Sequence, residues 1–331
     1  MPAADLRDLI GASRADQIAD WTLMLVQAAS PNPPGDTGIA AKAADSIIRA
    51  AVPDVEVELH EAGDQVVNLI ARVHGAGPGR RVVFNGHLDT YPVGDASLWT
   101  RNPAGERDGN RLYGRGSADM KGGIAASISA FRALAAHRDR WHGEVVLTLA
   151  GDEESMGPLG TRWLLDRVPH ATGNAAIIAD TGSPRVLRFG EKGFLWIEIE
   201  AVGRTAHGAH VHLGENAVER LLEALTRLQS LRGLPVQAPV AVMDAIARSR
   251  AISEPLAGAG EAVVLSQVTV NIGWIDGGTS TNLVPAIARA GADIRLPVGI
   301  TAAVVEQALA AALERKLSDL NRKEFPDTGR M

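Results

Sequence analysis

Three short apolar runs, Arg81-Val82-Val83-Phe84-Asn85, Glu144-Val145-Val146-Leu147-Thr148-Leu149 and Ala175-Ala176-Ile177-Ile178-Ala179, each end within a few residues of a histidine or an acid. Runs of this length, rich in branched apolar residues and bounded by polar or breaker residues, read as buried strands. Between them lie stretches with the length and periodicity of helices, at 121–136 and 159–167. Strands that alternate with helices form an open sheet, and the carboxyl ends of its strands line one crevice. His87 and Asp89, Glu153 and Glu154, and Asp180 all follow such ends, so residues far apart in sequence converge there.

The rest of the chain fits an α/β domain with helices on both faces of its sheet, with a smaller α+β domain inserted into it. Residues 1–21 mix acids and bases like the start of an amphipathic helix. Helices are expected at 15–28, ended by Ser30-Pro31-Asn32-Pro33-Pro34-Gly35, and at 37–51, with strands at 55–59 and 66–73. After Asp180 the order changes to a half-buried strand at 193–202, an amphipathic helix at 216–231, strand-like runs at 263–275 and 287–296, and a helix at 301–320. The proline- and alanine-rich stretch 233–260 reads as a loop or irregular segment.

Composition removes several classes. A chain of 331 residues, 46% hydrophobic and 22% charged, can bury a core large enough for two domains. Its net charge of -6, with lysine and arginine dispersed, offers no basic stripe for nucleic acid. No apolar run approaches the ~18 residues that span a bilayer, and the first residues lack the apolar stretch of a secretory signal, so the default compartment is cytoplasmic. Cysteine is absent, so any metal must be held by histidine and carboxylates.

Taken singly, these residues have ordinary explanations. His-x-Asp is common in loops, Asp152-Glu153-Glu154 reads equally as a solvated turn, Asp119 as a helix N-cap and Asp180 as a turn residue. Taken together, four acid or histidine groups at strand ends or a helix start suit a pair of divalent ions sharing one water. In that scheme His87 and Asp180 bind one ion, Glu154 the other, and Asp119 bridges. Asp89 accepts the second ring N–H of His87 and fixes its tautomer, while Glu153 moves the proton.

The segments Gly86-His87-Leu88-Asp89-Thr90, Tyr113-Gly114-Arg115-Gly116-Ser117-Ala118-Asp119-Met120-Lys121-Gly122-Gly123 and Gly151-Asp152-Glu153-Glu154 resemble the signature of the M20 metallopeptidases and deacylases. Acetylornithine deacetylase, succinyl-diaminopimelate desuccinylase, carboxypeptidase G, aminoacylase and dipeptidases belong to that superfamily. The resemblance extends through Gly203-Arg204-Thr205-Ala206-His207-Gly208, Thr281-Asn282-Leu283-Val284-Pro285 and Asp293-Ile294-Arg295-Leu296-Pro297, to about Leu320.

It implies a zinc-peptidase-like catalytic domain over 1–190, with a mixed sheet and helices on both faces, and a smaller α+β lid or dimerisation domain over 191–331. Implied with it are two Zn²⁺ per subunit, replaceable by Co²⁺ or Mn²⁺, and a homodimer formed through the lid. His207 would stabilise the oxyanion, Asn282 would bind substrate from the lid, and Arg295 would grip a substrate carboxylate. Family members continue beyond the lid with a last lid strand and a return segment that supplies a final metal-binding histidine. Here no histidine follows His212, so one ion is expected to lack a ligand and to be held more weakly than the other.

The expected activity is metal-dependent hydrolysis of an amide next to a free carboxylate, in an N-acyl amino acid or dipeptide. Asp180, where deacetylases and desuccinylases commonly carry Glu, leans toward the dipeptidases and carboxypeptidases. The alternative is a non-catalytic or impaired homologue that binds metal or a small carboxylate.

Overall fold

Helices α1 (Ala15–Gln27) and α2 (Gly38–Ala51) open the described part of the chain, which a computed structural model gives as residues 15–183, 186–188 and 190–313. In α2 the buried residues Ala40, Ala41, Ala44, Ile47 and Ile48 recur at three- and four-residue spacing, so one stripe faces the core. Strands β1 (Glu56–Glu61), β2 (Val67–His74) and β3 (Arg81–His87) follow. A small hairpin, β4 (Glu106–Asp108) and β5 (Arg111–Tyr113), pairs Asp108 with Arg111 across Gly109-Asn110. Then come α3 (Gly122–Ala136), β6 (Glu144–Ala150), α4 (Thr161–Arg167) and β7 (Ala175–Ile178).

The five larger strands form one mixed sheet in the order β1-β2-β6-β3-β7. Pairing is antiparallel from β1 to β2 and from β2 to β6, then parallel from β6 to β3 and from β3 to β7. Every residue of β6 is buried. Val145, Leu147 and Leu149 pack with Leu25, Ile48, Ile124 and Phe131 from the helices on one face. Val146 and Ala150 pack with Leu164, Val168 and Ala171 on the other. Helices therefore cover both faces, as the strand–helix alternation predicts.

Contacts divide the chain into two compact units between Gly182 and Ser183. The second contains β8 (Gly193–Val202), β9 (Ala206–His207), α5 (Ala217–Leu228), α6 (Val240–Ala257), α7 (Glu261–Ser266), β10 (Thr269–Gly277), β11 (Leu283–Val284), β12 (Ile287–Leu296) and α8 (Ala302–Ala312). Its antiparallel sheet runs β10-β12-β8. Leu221, Leu225 and Leu228 of α5 and Val305 and Leu309 of α8 pack with Leu195, Ile197, Ala290 and Ile294 of that sheet.

Two sequence expectations are corrected here. The stretch 233–260 is not irregular, because most of it is the 18-residue helix α6. Pro239 precedes it and Gly258 ends it at φ 110°, and its alanines favour helix despite Pro255 in the last turn. Only Ser253 is buried on it, so it lacks the apolar stripe by which helices are recognised. The strand-like run 263–275 is likewise divided: Gly260 at φ 92° starts α7, and β10 begins only at Thr269. The end of the helix expected at 301–320, and the beginning of the amphipathic segment at 1–21, lie outside the described residues. No helix among the described residues is long and apolar enough to cross a membrane.

Leu147 is fully buried between β2 and β3. Leu147→Ala should therefore cost about 2–5 kcal/mol in urea unfolding of the first unit. Val240→Ala, at a position 75% exposed, should change stability by no more than about 0.5 kcal/mol. Equal effects of the two would contradict the placement of the core.

Candidate metal centre

His87 ends β3 opposite Ala150, the last residue of β6, and is 3% exposed. On the other side Asn85 pairs with Ile178, so the register carried two residues further brings His87 level with Asp180. The backbone N–H of His87 donates to the Met120 sulfur at 3.1 Å. Its ring Nδ1 lies 3.0 Å from the Asp89 backbone carbonyl, so Nδ1 carries the proton that forms this bond. Nε2 faces outward, 3.1 Å from Asp119 Oδ1 and 3.8 Å from Glu153 Oε2.

Asp119 sits in a tight turn, Ser117–Lys121, that precedes α3. Two glycines make this placement possible. Gly116 has φ 81°, and a Cβ there would lie 2.4 Å from Thr90 Cγ2. A Cβ on Gly123 would lie 1.7 Å from the Ala179 carbonyl oxygen, so only glycine lets α3 approach the chain beside Asp180 so closely. Lys121 is 1% exposed and donates to the Ala28 carbonyl at 2.8 Å and to Ser30 Oγ at 2.9 Å. Burial pulls its ammonium down to about 8, with Asp89 opposing.

Glu153 and Glu154 follow β6 in a loop folded around Asp152. The carboxylate of Asp152 accepts from Ser155 Oγ at 2.6 Å and from the Leu159 N–H at 3.0 Å. Glu154 donates its N–H to Asp89 Oδ2 at 3.0 Å, and its Oε1 accepts from the Tyr91 N–H at 3.2 Å. Ligand atoms of His87, Asp119 and Glu154 all lie within 4.8 Å of one another.

The electrostatics suit a divalent cation. Burial, reinforced by Asp119, pushes the Glu154 carboxyl up to about 7. Burial also raises Glu153, against His87 but helped by Asp89, Asp180 and Asp119. For His87 burial disfavours the charged form, yet Glu153 and Asp89 outweigh it and the imidazole is raised above its ordinary value. One imidazole and two carboxylates form the donor set that Zn²⁺ and its neighbours accept. The 3.1 Å between Nε2 and Asp119 Oδ1 is close to the ~3.3 Å between two ligands of one tetrahedral ion. Asp89 Oδ1, buried without a hydrogen bond and 3.7 Å from His87 Nδ1, gives the ring a further negative neighbour. The residues therefore fit a divalent ion.

Some expected residues stand apart from this trio. Asp180 is exposed and its Oδ1 accepts from the Thr181 N–H at 2.5 Å; it acts on Glu153 through its charge. The Asp89 carboxylate does not take the imidazole proton directly. The backbone carbonyl does so at 3.0 Å, while the nearer carboxylate oxygen, Oδ1, stands 3.7 Å from Nδ1 and Oδ2 accepts from Asn32 and from the Glu154 N–H. In the second unit, β9 and β11 pair His207 with Leu283, and the Gly208 N–H donates to the Asn282 carbonyl at 2.6 Å. His207 and Asn282 are thus brought together. Arg295 bonds Asp293 at 2.9 Å and lies over the Phe194 ring at 5.5 Å. Asn32, Ser30 and Asp152 were not singled out from sequence, where Ser-Pro-Asn-Pro-Pro-Gly signals only a helix end.

Residues 83–330 match the profile of peptidase family M20/M25/M40. The chain belongs to this family. A succinyl-diaminopimelate desuccinylase of Rhodospirillum centenum is 40% identical over 174 residues, 50% of this chain and 45% of that protein. One from Methylorubrum extorquens is 32% identical over 294 residues, 86% of this chain and 68% of the relative. The chain spans about half the length of the first curated relatives it matches, 45% and 55% of two of them. In fold it is similar to an M20 family metallo-carboxypeptidase of Sulfolobus solfataricus, with a TM-score of 0.72 at 18% identity, covering 93% of this chain and 77% of that one. A dinuclear metal-binding M20 peptidase of Bacillus subtilis aligns with a TM-score of 0.54 at 13% identity, over 91% and 70%.

Protons on Glu154 and His87 must leave before both can bind an ion, so metal affinity should fall as pH drops through about 7. Calorimetric titration with Zn²⁺ at about pH 6 and about pH 8 should show tighter binding at the higher value. Equal affinity at both would argue that these groups are not ligands.

Proposed function

We propose that this chain is a metal-dependent amide hydrolase acting on a small substrate with a free carboxylate, an N-acyl amino acid or a dipeptide. The observation that carries this reading is the buried His87 imidazole, grouped with Asp119 and Glu154 while Glu153 stands beside them. His87, Asp119 and Glu154 would hold the metal, with Asp180 as a further carboxylate ligand and Zn²⁺, Co²⁺ or Mn²⁺ as the ion. A bound divalent ion supplies Lewis acidity, which polarises an amide carbonyl and makes water a nucleophile near neutral pH.

The chain's own groups do the rest. Glu153 takes the proton of the attacking water and returns it to the leaving nitrogen, a role suited to a carboxyl raised by burial. Asp89 orients His87 through its backbone carbonyl and Glu154 through Oδ2. We assign the first unit as the catalytic domain and the second as a lid. There His207 would donate to the developing oxyanion, Asn282 would bind the substrate amide, and Arg295 its carboxylate. Homodimerisation through the lid belongs to the same proposal. The curated relatives are desuccinylases and the structural relative is a carboxypeptidase, both of which cleave amides, and this supports the reaction class.

Glu153→Gln should retain the metal and lose roughly 10²–10⁴-fold in kcat on the best member of a panel of N-succinyl and N-acetyl amino acids and dipeptides. Glu154→Gln should instead lose metal. Matching metal loss in the two variants, by elemental analysis, would refute this division of roles.

A further inference from the structure

One side chain joins the segments that carry the candidate ligands, and it lies outside the segments that resemble the M20 signature. Asn32 is 7% exposed. Its amide nitrogen donates to Asp89 Oδ2 at 2.8 Å and reaches Ser155 Oγ at 3.2 Å and Asp152 Oδ1 at 3.5 Å. Asp89 Oδ2 also accepts from the Glu154 N–H, so Asn32 and Glu154 share one oxygen of a fully buried carboxylate.

The backbone around Asn32 is tied to the same place. Its N–H donates to the Thr90 carbonyl at 2.8 Å, and the Thr90 N–H donates to the Ser30 carbonyl at 3.0 Å. Ser30 Oγ donates to the Leu88 carbonyl at 2.6 Å and accepts from Lys121, two residues after Asp119. The segment 30–32 is thus laced to the end of β3, to the Asp119 turn and to the Glu153–Glu154 loop. A neutral amide suits this point, since it offers two N–H groups to oxygens of two acids. A carboxylate at position 32 would add a third acid with no proton to give.

We propose that Asn32 is a positioning residue of the metal centre: it fixes the Asp89 carboxylate and the Asp152–Ser155 loop in advance, so that His87 and Glu154 meet one ion together. This role rests on the reading of His87, Asp119 and Glu154 as metal ligands. Partners that orient ligands typically change metal affinity by about 10–100-fold when removed.

The test is Zn²⁺ affinity by competition with a chromophoric chelator, measured on the full chain for wild type, Asn32→Ala and the near-isosteric Asn32→Asp. Affinity should fall about 10–100-fold in Asn32→Ala and further in Asn32→Asp. Hydrogen exchange in chelator-treated protein should show faster exchange over 151–156 in both variants. Leu164→Ala, in the cluster on the other face of the sheet, is the control for general destabilisation. It should lower the melting temperature and leave Zn²⁺ affinity unchanged. Wild-type affinity in the Asn32 variants, or an equal loss in Leu164→Ala, would overturn the positioning role alone. Absence of Zn²⁺ binding by the wild type would overturn the metal-centre reading and this role with it.

Discussion

A parallel pair of strands cannot be closed by a hairpin, so β6, β3 and β7 are joined by crossovers that leave from one edge of the sheet. Each crossover begins with a residue of the candidate site. His87 and Asp89 leave β3, Glu153 and Glu154 leave β6, and Asp180 follows β7. The crossover from β3 also carries the Asp119 turn into α3, and the Gly123 contact with Ala179 seats that helix against the β7 end. Register is not free to slip. A shift of one residue would turn Leu147 and Val146 to opposite faces, and both faces of β6 are packed.

The edge so formed gathers more negative charge than it neutralises. Asp89, Asp119, Glu153 and Glu154 lie around one imidazole; Asp89 is fully buried, Asp119 and Glu154 are half-buried and Glu153 is exposed. Burial and Asp119 raise Glu154, and Glu153 and Asp89 raise His87 against its burial, so both groups favour their protonated forms more than they would in water. Such a cluster is costly unless something binds it, and perturbed carboxyls grouped at strand ends mark functional sites more often than structural ones. Asp152, next to these acids, accepts instead from Ser155 and from the Leu159 N–H, which closes the loop on itself.

Much of this was legible in sequence because it depends on period and order. Buried β6 is a continuous apolar run, and the acids after it need only a parallel sheet to converge. Helix α6 was illegible for the converse reason: a helix with one buried residue carries no periodic stripe. The β4–β5 hairpin had its signal in Gly109-Asn110, but strands of three residues are too short for a period to register. Within the site, residue types gave the ligand candidates and could not give the bonding. His-x-Asp suggests a carboxylate behind the imidazole, whereas the bond runs to the Asp89 carbonyl, and the carboxylate is held at Oδ2 by Asn32, 57 residues away in sequence.

That last difference bears on how the site is kept rigid. A buried carboxylate has several oxygen lone pairs to satisfy, and one left to choose among donors would not hold two neighbours still. Asp89 is given fixed donors at Oδ2, while Oδ1 has no hydrogen bond and stands 3.7 Å from His87 Nδ1. Its negative charge therefore acts on the imidazole through space, and its geometry acts on Glu154 through a bond. The buried Lys121 extends the same logic. It donates to Ala28 and Ser30 rather than to any acid of the site, so it steadies the scaffold by hydrogen bonds while Asp89 acts on it through charge alone. A centre built this way is preorganised by neutral amides, carbonyls and hydroxyls beneath it, and its excess of negative charge remains available to a cation.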